Sequence, residues 1–411
     1  MHATTVVSTD LLTPLGAYLR LRESGAASFL LESVEHGRLG RHSFVGCGSR
    51  LVTFAEAERL DEPVVGYLAY DHVAKLEPTV PLPAPGRDLP ESRFVVAETL
   101  VRFDHALGMA EVLRGDPLDV TGQLEGPLPD FSTNGARPRS GAMRRLPSRL
   151  EYERGVVQAK EHIRAGDAFQ IVLSQRAERP TSASPLELYR SLRRVNPSPY
   201  LFLLELDGLA LVGSSPETLV KCDGRRASLN PIAGTTRPGA GDAERLLSSE
   251  KDRAEHVMLV DLGRNDLSRV CRPGTVRVAR FLEPERFSHV THLVSEVVGE
   301  LQEGVAPFDL LRACFPAGTV SGAPKVRAMQ LISELEGYRR GLYAGAVGYS
   351  LPGGSFDTCI AIRTIVLHDG LALLQAGAGV VADSDPHAEH NECLRKLAAL
   401  ETAIDLAEAR Q

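Results

Sequence analysis

Hydrophobic and polar residues change their period along this chain, and the changes mark out its elements. Between 150 and 166, Tyr152, Val156, Ala159 and Ile163 recur at helical spacing until Gly166, which predicts a helix that ends there. AFQIVLSQR (168–176) alternates as a strand. SPLELYRSLRRV (184–195) carries Ser184 as N-cap and Pro185 at the first helical position, and stops before Asn196-Pro197. YLFLLEL (200–206), LALVGSS (209–215) and TLVKC (218–222) follow as strands. Residues 359–382 form two alternating strands joined at Asp369-Gly370, a strong hairpin signal. The last stretch, AALETAIDLAEAR, is helical. Strands often neighbour one another in sequence, with helices interspersed. That pattern favours an α+β fold with large antiparallel sheets over a doubly wound parallel one. No internal repeat is visible.

Two segments break the pattern. EPTVPLPAPGRDLP (77–90) reads as a loop inside the N-terminal region, and the Pro-, Gly- and Ser-rich 115–148 reads as a surface connection. The expected organisation is an N-terminal region 1–114, a linker 115–148 and a C-terminal domain 149–411.

At 411 residues, 43% hydrophobic and 24% charged, the composition is that of a soluble globular protein with a large core. The net charge of −7 speaks against nucleic acid or an anionic membrane as partner. No apolar run is long enough to span a bilayer, and MHATTVVSTDLLTP lacks the basic start and apolar core of a signal peptide. Cys47, Cys222, Cys271, Cys314, Cys359 and Cys393 are scattered without CxxC pairing, as expected of reduced thiols in a cytoplasmic protein. None lies in the glycine-flanked elbow that a glutaminase nucleophile would need.

Candidate chemistry comes from carboxylate spacing. In AEHNECLRK (388–396), Glu389, Glu392 and Lys396 fall on one helical face, and taken alone this is a solvated helix with an i,i+4 pair. DRAEHVMLVDLGRNDLSRV (252–270) holds a second doublet, Asp252 and Glu255. Met258, Leu259 and Leu262 lie on another face and predict a well-buried helix. Two doublets meeting across a cleft would suit a hard cation such as magnesium. Pairing with the neighbouring Arg253, Arg395 or Lys396 is the competing reading. PIAGTTRPG (231–239), PAGTVSGAPK (316–325) and QAGAGVV (375–381) could turn backbone amides toward an anion, though each alone reads as an ordinary turn. None matches a dinucleotide fingerprint or a P-loop. His292, in an apolar run, reads as a hydrogen-bonded core histidine, whereas Arg363 within apolar AIRTIV calls for a carboxylate, either in the chain or on a ligand.

Taken together, these segments resemble the chorismate-utilising enzymes, most closely the anthranilate synthase component I family. DAFQIVLSQR, NPSPYLF, GSSPETLV, PIAGT, AEHVMLVDLGRNDLSRV, HLVSEVVGEL, CFPAGTVSGAPKVRAMQLISELEG, DTCIAIRT and QAGAGVVADSDPHAEHNECLRK occur in family order through most of 150–405. LLTPLGAYLRLRE, SFLLESVE, GRHSFVGCG and VVGYLAYDHV match N-terminally. The resemblance implies antiparallel sheets packed as a sandwich with helices outside.

It also implies site roles. Glu255 and Glu392 would ligate magnesium, supported by Asp252 and Glu389, and the ion would hold the ring carboxylate of chorismate. Arg363 and Tyr343 would bind the enolpyruvyl carboxylate, with the amides of Gly377, Ala378 and Gly379. Gly234, Thr235 and Thr319 would touch the substrate, and Lys396 would lie near the metal-bound carboxylate. Glu217 would be the general acid for the leaving hydroxyl, and His292 would serve the later loss of a proton and pyruvate. Isochorismate-forming relatives carry a lysine base where this chain has Gln170, and para-series relatives often carry a lysine where it has Ala233. The implied reaction is therefore chorismate plus ammonia to anthranilate and pyruvate. The ammonia would be free, or would come from glutamine through a separate amidotransferase subunit. Alternatives are a 2-amino-2-deoxyisochorismate synthase that stops before pyruvate leaves, a para-aminobenzoate-type aminodeoxychorismate synthase, and a non-catalytic tryptophan-binding regulatory subunit. Ser33, Pro199, Tyr200 and Leu201 match the family's site for tryptophan as feedback inhibitor. Departures include a stretch missing between VTFAEAERL and EPVVGYLAYD, and His42 and Leu201 where a tyrosine and a methionine are usual.

Overall fold

A computed structural model describes residues 6–22, 26–33, 41–87, 89–129, 141–236, 238–286 and 291–409, leaving aside the side chains of Thr235 and Lys251. Local signals set the helix boundaries. Ser184 caps Pro185–Val195 and Ser148 caps Arg149–Arg164, each in a capping box with a glutamate three residues on. Asp385 caps the long C-terminal helix Pro386–Glu408. Asp369 and Gly370 both take positive φ, which joins Thr364–His368 to Leu371–Val380 in a two-residue hairpin. Asp207-Gly208 does the same between Tyr200–Glu205 and Leu209–Ser215.

The strands form two antiparallel sheets of 12 and 10 strands among the described residues. Side-chain alternation separates their faces. Leu201 and Leu203 point to the helix-covered side of the larger sheet, with Leu188, Leu192, Leu397 and Leu400. Phe202 and Leu204 point between the sheets, with Phe44, Val65, Val95 and Val347. Each such side chain, fully buried, contributes about 2–3 kcal/mol. A third cluster, which includes Val260, Leu267, Phe308, Leu311 and Met329, covers the outer face of the smaller sheet with helices. The architecture is thus the expected α+β sandwich with helices outside.

Both sheets draw on the chain before and after 115–148. Ala27–Glu32 pairs with Tyr200–Glu205, and Val64–Leu68 pairs with Ala346–Leu351. The 115–148 segment itself carries a helix, Pro117–Glu125, and a strand, Arg144–Leu146.

Two expectations are corrected. The first strand of the 359–382 pair is interrupted. Ser355–Ile360 belongs to the smaller sheet and Thr364–His368 to the larger, and the chain crosses between them at 361–363. The helix Glu250–Ser268 is buried on one side only. Leu259, Val260 and Leu267 are covered, while Arg253, Ala254, Val257 and Asp261 are exposed.

Candidate active site

The site lies where strands change sheets. One crossing runs from Ser215 through Pro216 and Glu217 to Thr218, and the other is Ala361–Arg363. They are tied side by side: Ser215 Oγ donates to the Ile360 carbonyl at 2.7 Å, and the Ile360 amide donates to the Glu217 carbonyl at 3.0 Å. The Ser214 amide donates to the Arg363 carbonyl at 3.1 Å. Arg363 sits at φ +51°, a left-handed conformation that costs roughly 1–2 kcal/mol for a non-glycine residue. A regular strand would leave it level with its neighbours; the crossing turns it into the site.

Glu217 has its pKa pushed up to about 8, chiefly because burial disfavours the carboxylate; the Thr319 hydroxyl and the Lys396 charge pull the other way. Its residual exposure is to a small cavity of about 50 Å³ that it shares with Thr319, Asn230 and Asp266, so protein atoms still surround the carboxyl. The Thr319 hydroxyl is close but makes no hydrogen bond of ordinary geometry.

The strand Leu371–Val380 forms one wall. Gly379 and Gly377 pair with Val172 and Ser174, and both positions require glycine because neighbours approach the backbone. A Cβ on Gly379 would lie 2.6 Å from Gln170 Nε2, and one on Gly377 would lie 2.5 Å from the Tyr343 hydroxyl. Ala378, between them, is buried in the opposite direction. Gln170 Nε2 donates to Glu255 Oε1 at 3.1 Å, so the amide that covers Gly379 also holds the carboxylate on the Glu250–Ser268 helix. At the other end, Lys396 Nζ donates to the Gly377 carbonyl and pairs with Glu392 Oε1, both at 2.7 Å. Arg363 Nη1 reaches the Lys396 carbonyl only loosely, at 3.5 Å. Burial lowers the Arg363 pKa, while Tyr343 and Glu392 nearby favour its charge. Among the described residues no carboxylate forms a salt bridge with Arg363, which leaves its demand for a carboxylate to a ligand. Burial also raises the Tyr343 pKa, so its hydroxyl is a neutral donor.

On the opposite side His292 Nδ1 bonds the Gly234 carbonyl at 2.9 Å. Burial and the Arg363 charge lower the His292 pKa, so the ring is neutral. A bond to a carbonyl requires the proton on Nδ1, which puts the lone pair on Nε2. Gly234 takes φ +69°, and a Cβ there would lie 3.3 Å from Asp252 Cβ, so the PIAGT turn rests on the first carboxylate of its doublet. Thr235 stands opposite His292 in the strand register, and its side chain lies outside the described ones. Burial chiefly raises the pKa of Tyr152 and Cys393, and the charge of Glu389, one turn before Glu392 on the same helix, adds to it.

The carboxylates do not form a closed metal shell: among the described residues no three His, Cys, Asp or Glu side chains converge as ligands. Magnesium does not need such a shell, since it usually takes one or two carboxylates and fills its octahedron with water and substrate oxygens. Glu255 and Glu392 come from different helices and are tied to opposite ends of the same three-residue wall. Beside Glu255, Gln170 Oε1 is buried without a hydrogen-bond partner, an acceptor suited to a metal-bound water. The donor set fits the ion.

Sequence reading missed the residues that hold this frame. His256, next in chain to Glu255 and buried, bonds Ser295 Oγ through Nε2 at 2.6 Å and fastens the helix to the smaller sheet. Lys325 and Asp266 form a buried pair at 2.7 Å that ties the same helix to the loop of Thr319. Arg340 pairs with Glu336 at 2.6 Å and donates to the Val172 carbonyl at 2.6 Å, while Glu336 accepts from the Ser174 amide. The only sequence signal for the last pair is an i,i+4 spacing, which surface pairs share.

The residues matched to an inhibitor site gather elsewhere. Ser33 Oγ donates to the Pro199 carbonyl at 2.9 Å, beside a cavity of about 180 Å³ lined also by His42, Phe44, Tyr200 and Tyr349. Leu201 borders it, but its side chain packs on the helix side of the sheet. Tyr200 Oη lies 2.7 Å from Thr218 Oγ1, next in chain to Glu217.

A profile of chorismate binding enzymes matches residues 26–402. The chain is 43% identical to anthranilate synthase component 1 of Thermus thermophilus, over 97% of each chain. It is 44% identical to the protein of that name in Streptomyces coelicolor, over 97% of this chain and 88% of the relative. Among solved structures, anthranilate synthase component I from Streptococcus pneumoniae superposes with a TM-score of 0.80 at 32% identity, covering 97% of this chain and 100% of the other. The menaquinone-specific isochorismate synthase of Escherichia coli, 21% identical, shares the fold with a TM-score of 0.76 over 98% of this chain and 95% of the other.

Proposed function

The chain belongs to the chorismate binding enzymes, and we propose that it is the chorismate-converting component of an anthranilate synthase. The observation that carries this reading is a chain of contacts leading from Gly377 and Gly379: Lys396 on the Gly377 carbonyl pairs with Glu392, is reached by Arg363 and bears on the protonated Glu217, Gln170 over Gly379 holds Glu255, and the neutral His292 feels the Arg363 charge. Arg363 and the Tyr343 hydroxyl would hold the enolpyruvyl carboxylate of chorismate against the glycine wall. Magnesium held by Glu255 and Glu392, with Asp252 and Glu389 in support, would bind the ring carboxylate and stabilise its developing charge. Ammonia would attack C2 of the ring as the C4 hydroxyl departs with the Glu217 proton. A group at about 8 is protonated at neutral pH and can donate. His292, with its lone pair on Nε2, would take the C2 proton as pyruvate leaves. That favours completion to anthranilate over arrest at 2-amino-2-deoxyisochorismate. Gln170 has no ionisable base with which to activate water, which favours ammonia as nucleophile.

The ammonia would come from a separate glutamine amidotransferase. All six cysteines are buried, and Cys222, Cys271, Cys314, Cys359 and Cys393 have pKa values raised by burial, the opposite of a glutaminase thiolate. Six cysteines outside any disulfide suit the cytoplasm, and no helix among the described residues is long and apolar enough to cross a membrane. The cavity beside Ser33 would take tryptophan as feedback inhibitor, acting on Glu217 through Tyr200 and Thr218.

The test is chorismate with magnesium and ammonium at mildly alkaline pH, following anthranilate fluorescence and pyruvate. The two products should rise together and vanish with EDTA. Chorismate consumed without pyruvate would refute the full reaction, and no consumption at all would refute the enzyme.

A further inference from the structure

Another cavity, about 350 Å³, opens between the two sheets. Its volume is at the lower end of the range for small-ligand sites. Tyr67 and Leu342 line it from the smaller sheet and the turn after Arg340, and Leu211, Val366 and Leu373 line it from the larger sheet. These five side chains belong to the apolar cluster between the sheets and give the cavity an apolar stretch. The charges at its mouth are mostly satisfied. Glu178 is held by Arg87 at 2.8 Å and Arg144 at 3.3 Å, and Glu91 by His72 at 2.5 Å and Lys75 at 2.7 Å. Asp71 accepts from the Arg340 and Gly341 amides, both at 3.2 Å. Arg339 Nε donates to the Pro83 carbonyl at 3.0 Å, and Arg340 is paired with Glu336. Arg176 differs. Its guanidinium stacks on the Tyr338 ring at 4.1 Å, and its Nε is buried with no hydrogen-bond partner. The rest of the guanidinium is only partly covered and lines the cavity, and among the described residues it forms no salt bridge, so its outer N–H groups are left for a ligand, for which a carboxylate is the best partner. The inner wall includes Tyr343, whose hydroxyl meets Gly377 on the far side.

We propose that this cavity is a second small-molecule site, taking a flat aromatic monocarboxylate with its ring between the sheets and its carboxylate on Arg176, and that its occupancy is transmitted to the glycine wall through Tyr343. The transmission rests on reading Gly377–Gly379 as the substrate cradle; the binding does not.

Benzoate is the probe, titrated calorimetrically into the full chain. Binding that survives in Arg363→Gln but weakens at least tenfold in both Arg176→Gln and Leu373→Trp supports the site. The tryptophan fills the cavity, and the glutamine keeps it open but removes the charge, so a folding defect in one leaves the other to decide. No binding at millimolar benzoate, or binding lost in Arg363→Gln and kept in Arg176→Gln, overturns it. Amide hydrogen exchange over 371–381 reads the transmission without turnover. Benzoate should slow exchange there several-fold in the unmodified chain and not in Leu373→Trp. Equal exchange with and without benzoate, once binding is established, overturns the transmission. A chain that binds benzoate but makes no anthranilate would sink the proposed reaction and leave this site standing.

Discussion

Replacing Glu217 by glutamine should make the protein more stable at alkaline pH and nearly inactive at every pH. The folded-state pKa of about 8 lies above the ordinary 4.5. Below the ordinary value both folded and unfolded chains carry the proton, and the native acid costs nothing extra. As pH rises toward 8, the unfolded chain gains by ionising while the folded one cannot, so stability is lost progressively through that window. At 1.36 kcal/mol per pKa unit the loss has a ceiling of ~5 kcal/mol. Glu217 retains some exposure to its cavity, so about 2–3 kcal/mol is the reasonable expectation. Glutamine keeps the shape and cannot ionise. Guanidinium unfolding of both proteins between about pH 5 and about pH 9 should give curves that nearly coincide at the acid end. They should separate in favour of Glu217→Gln at the alkaline end. Parallel curves across the range would show that Glu217 is solvated and ionised, and its assignment as general acid would fall with them. The catalytic counterpart is a rate that declines above about pH 8 as the acid loses its proton. In Glu217→Gln the rate should be lower by roughly 10²–10⁴.

Gln170→Ala removes the 3.1 Å hydrogen bond that orients Glu255, and should raise the magnesium concentration for half-maximal rate about tenfold. An unchanged magnesium requirement in steady-state titrations would separate Glu255 from the metal. Arg340→Met leaves Glu336 as an uncompensated buried charge and should destabilise by about 3–5 kcal/mol, with much of the loss recovered in an Arg340→Met, Glu336→Leu double variant. Equal melting temperatures for the single and double variants would contradict that account. Tyr200→Phe removes the hydroxyl that touches Thr218 and should weaken tryptophan inhibition several-fold while tryptophan binding, followed by calorimetry, persists. Inhibition and binding lost together would locate the effect in the pocket itself.

Much of this architecture is legible in short stretches of sequence. The capping boxes of Ser148 and Ser184, the cap of Asp385 and the turn at Asp369-Gly370 involve residues within a few positions of one another. Their partners lie within one turn of the chain, so the pattern signals these element ends without the tertiary fold. The spacing of Asp252 with Glu255 and of Glu389 with Glu392 is also local, and it identified both doublets as faces that could act together. What it did not decide was whether those faces meet a partner or water. That depended on Gln170 reaching Glu255 across 85 positions, and on Lys396 reaching Gly377 from the next element. Arg363 illustrates the same division. Its apolar neighbours read as one strand, yet the chain changes sheets there, because Ser355–Ile360 and Thr364–His368 pair with different partners. The left-handed turn that aims the guanidinium is a consequence of that pairing. The cavity between the sheets belongs wholly to the tertiary level, since its walls come from strands far apart in sequence and no short segment carries its shape. Sequence alone determined which chemical groups this protein has and which local elements present them. Packing of the two sheets determined which groups lost their water, and with it the raised pKa of Glu217 and the unmet demands of Arg363 and Arg176, because desolvation is a property of everything that surrounds a group.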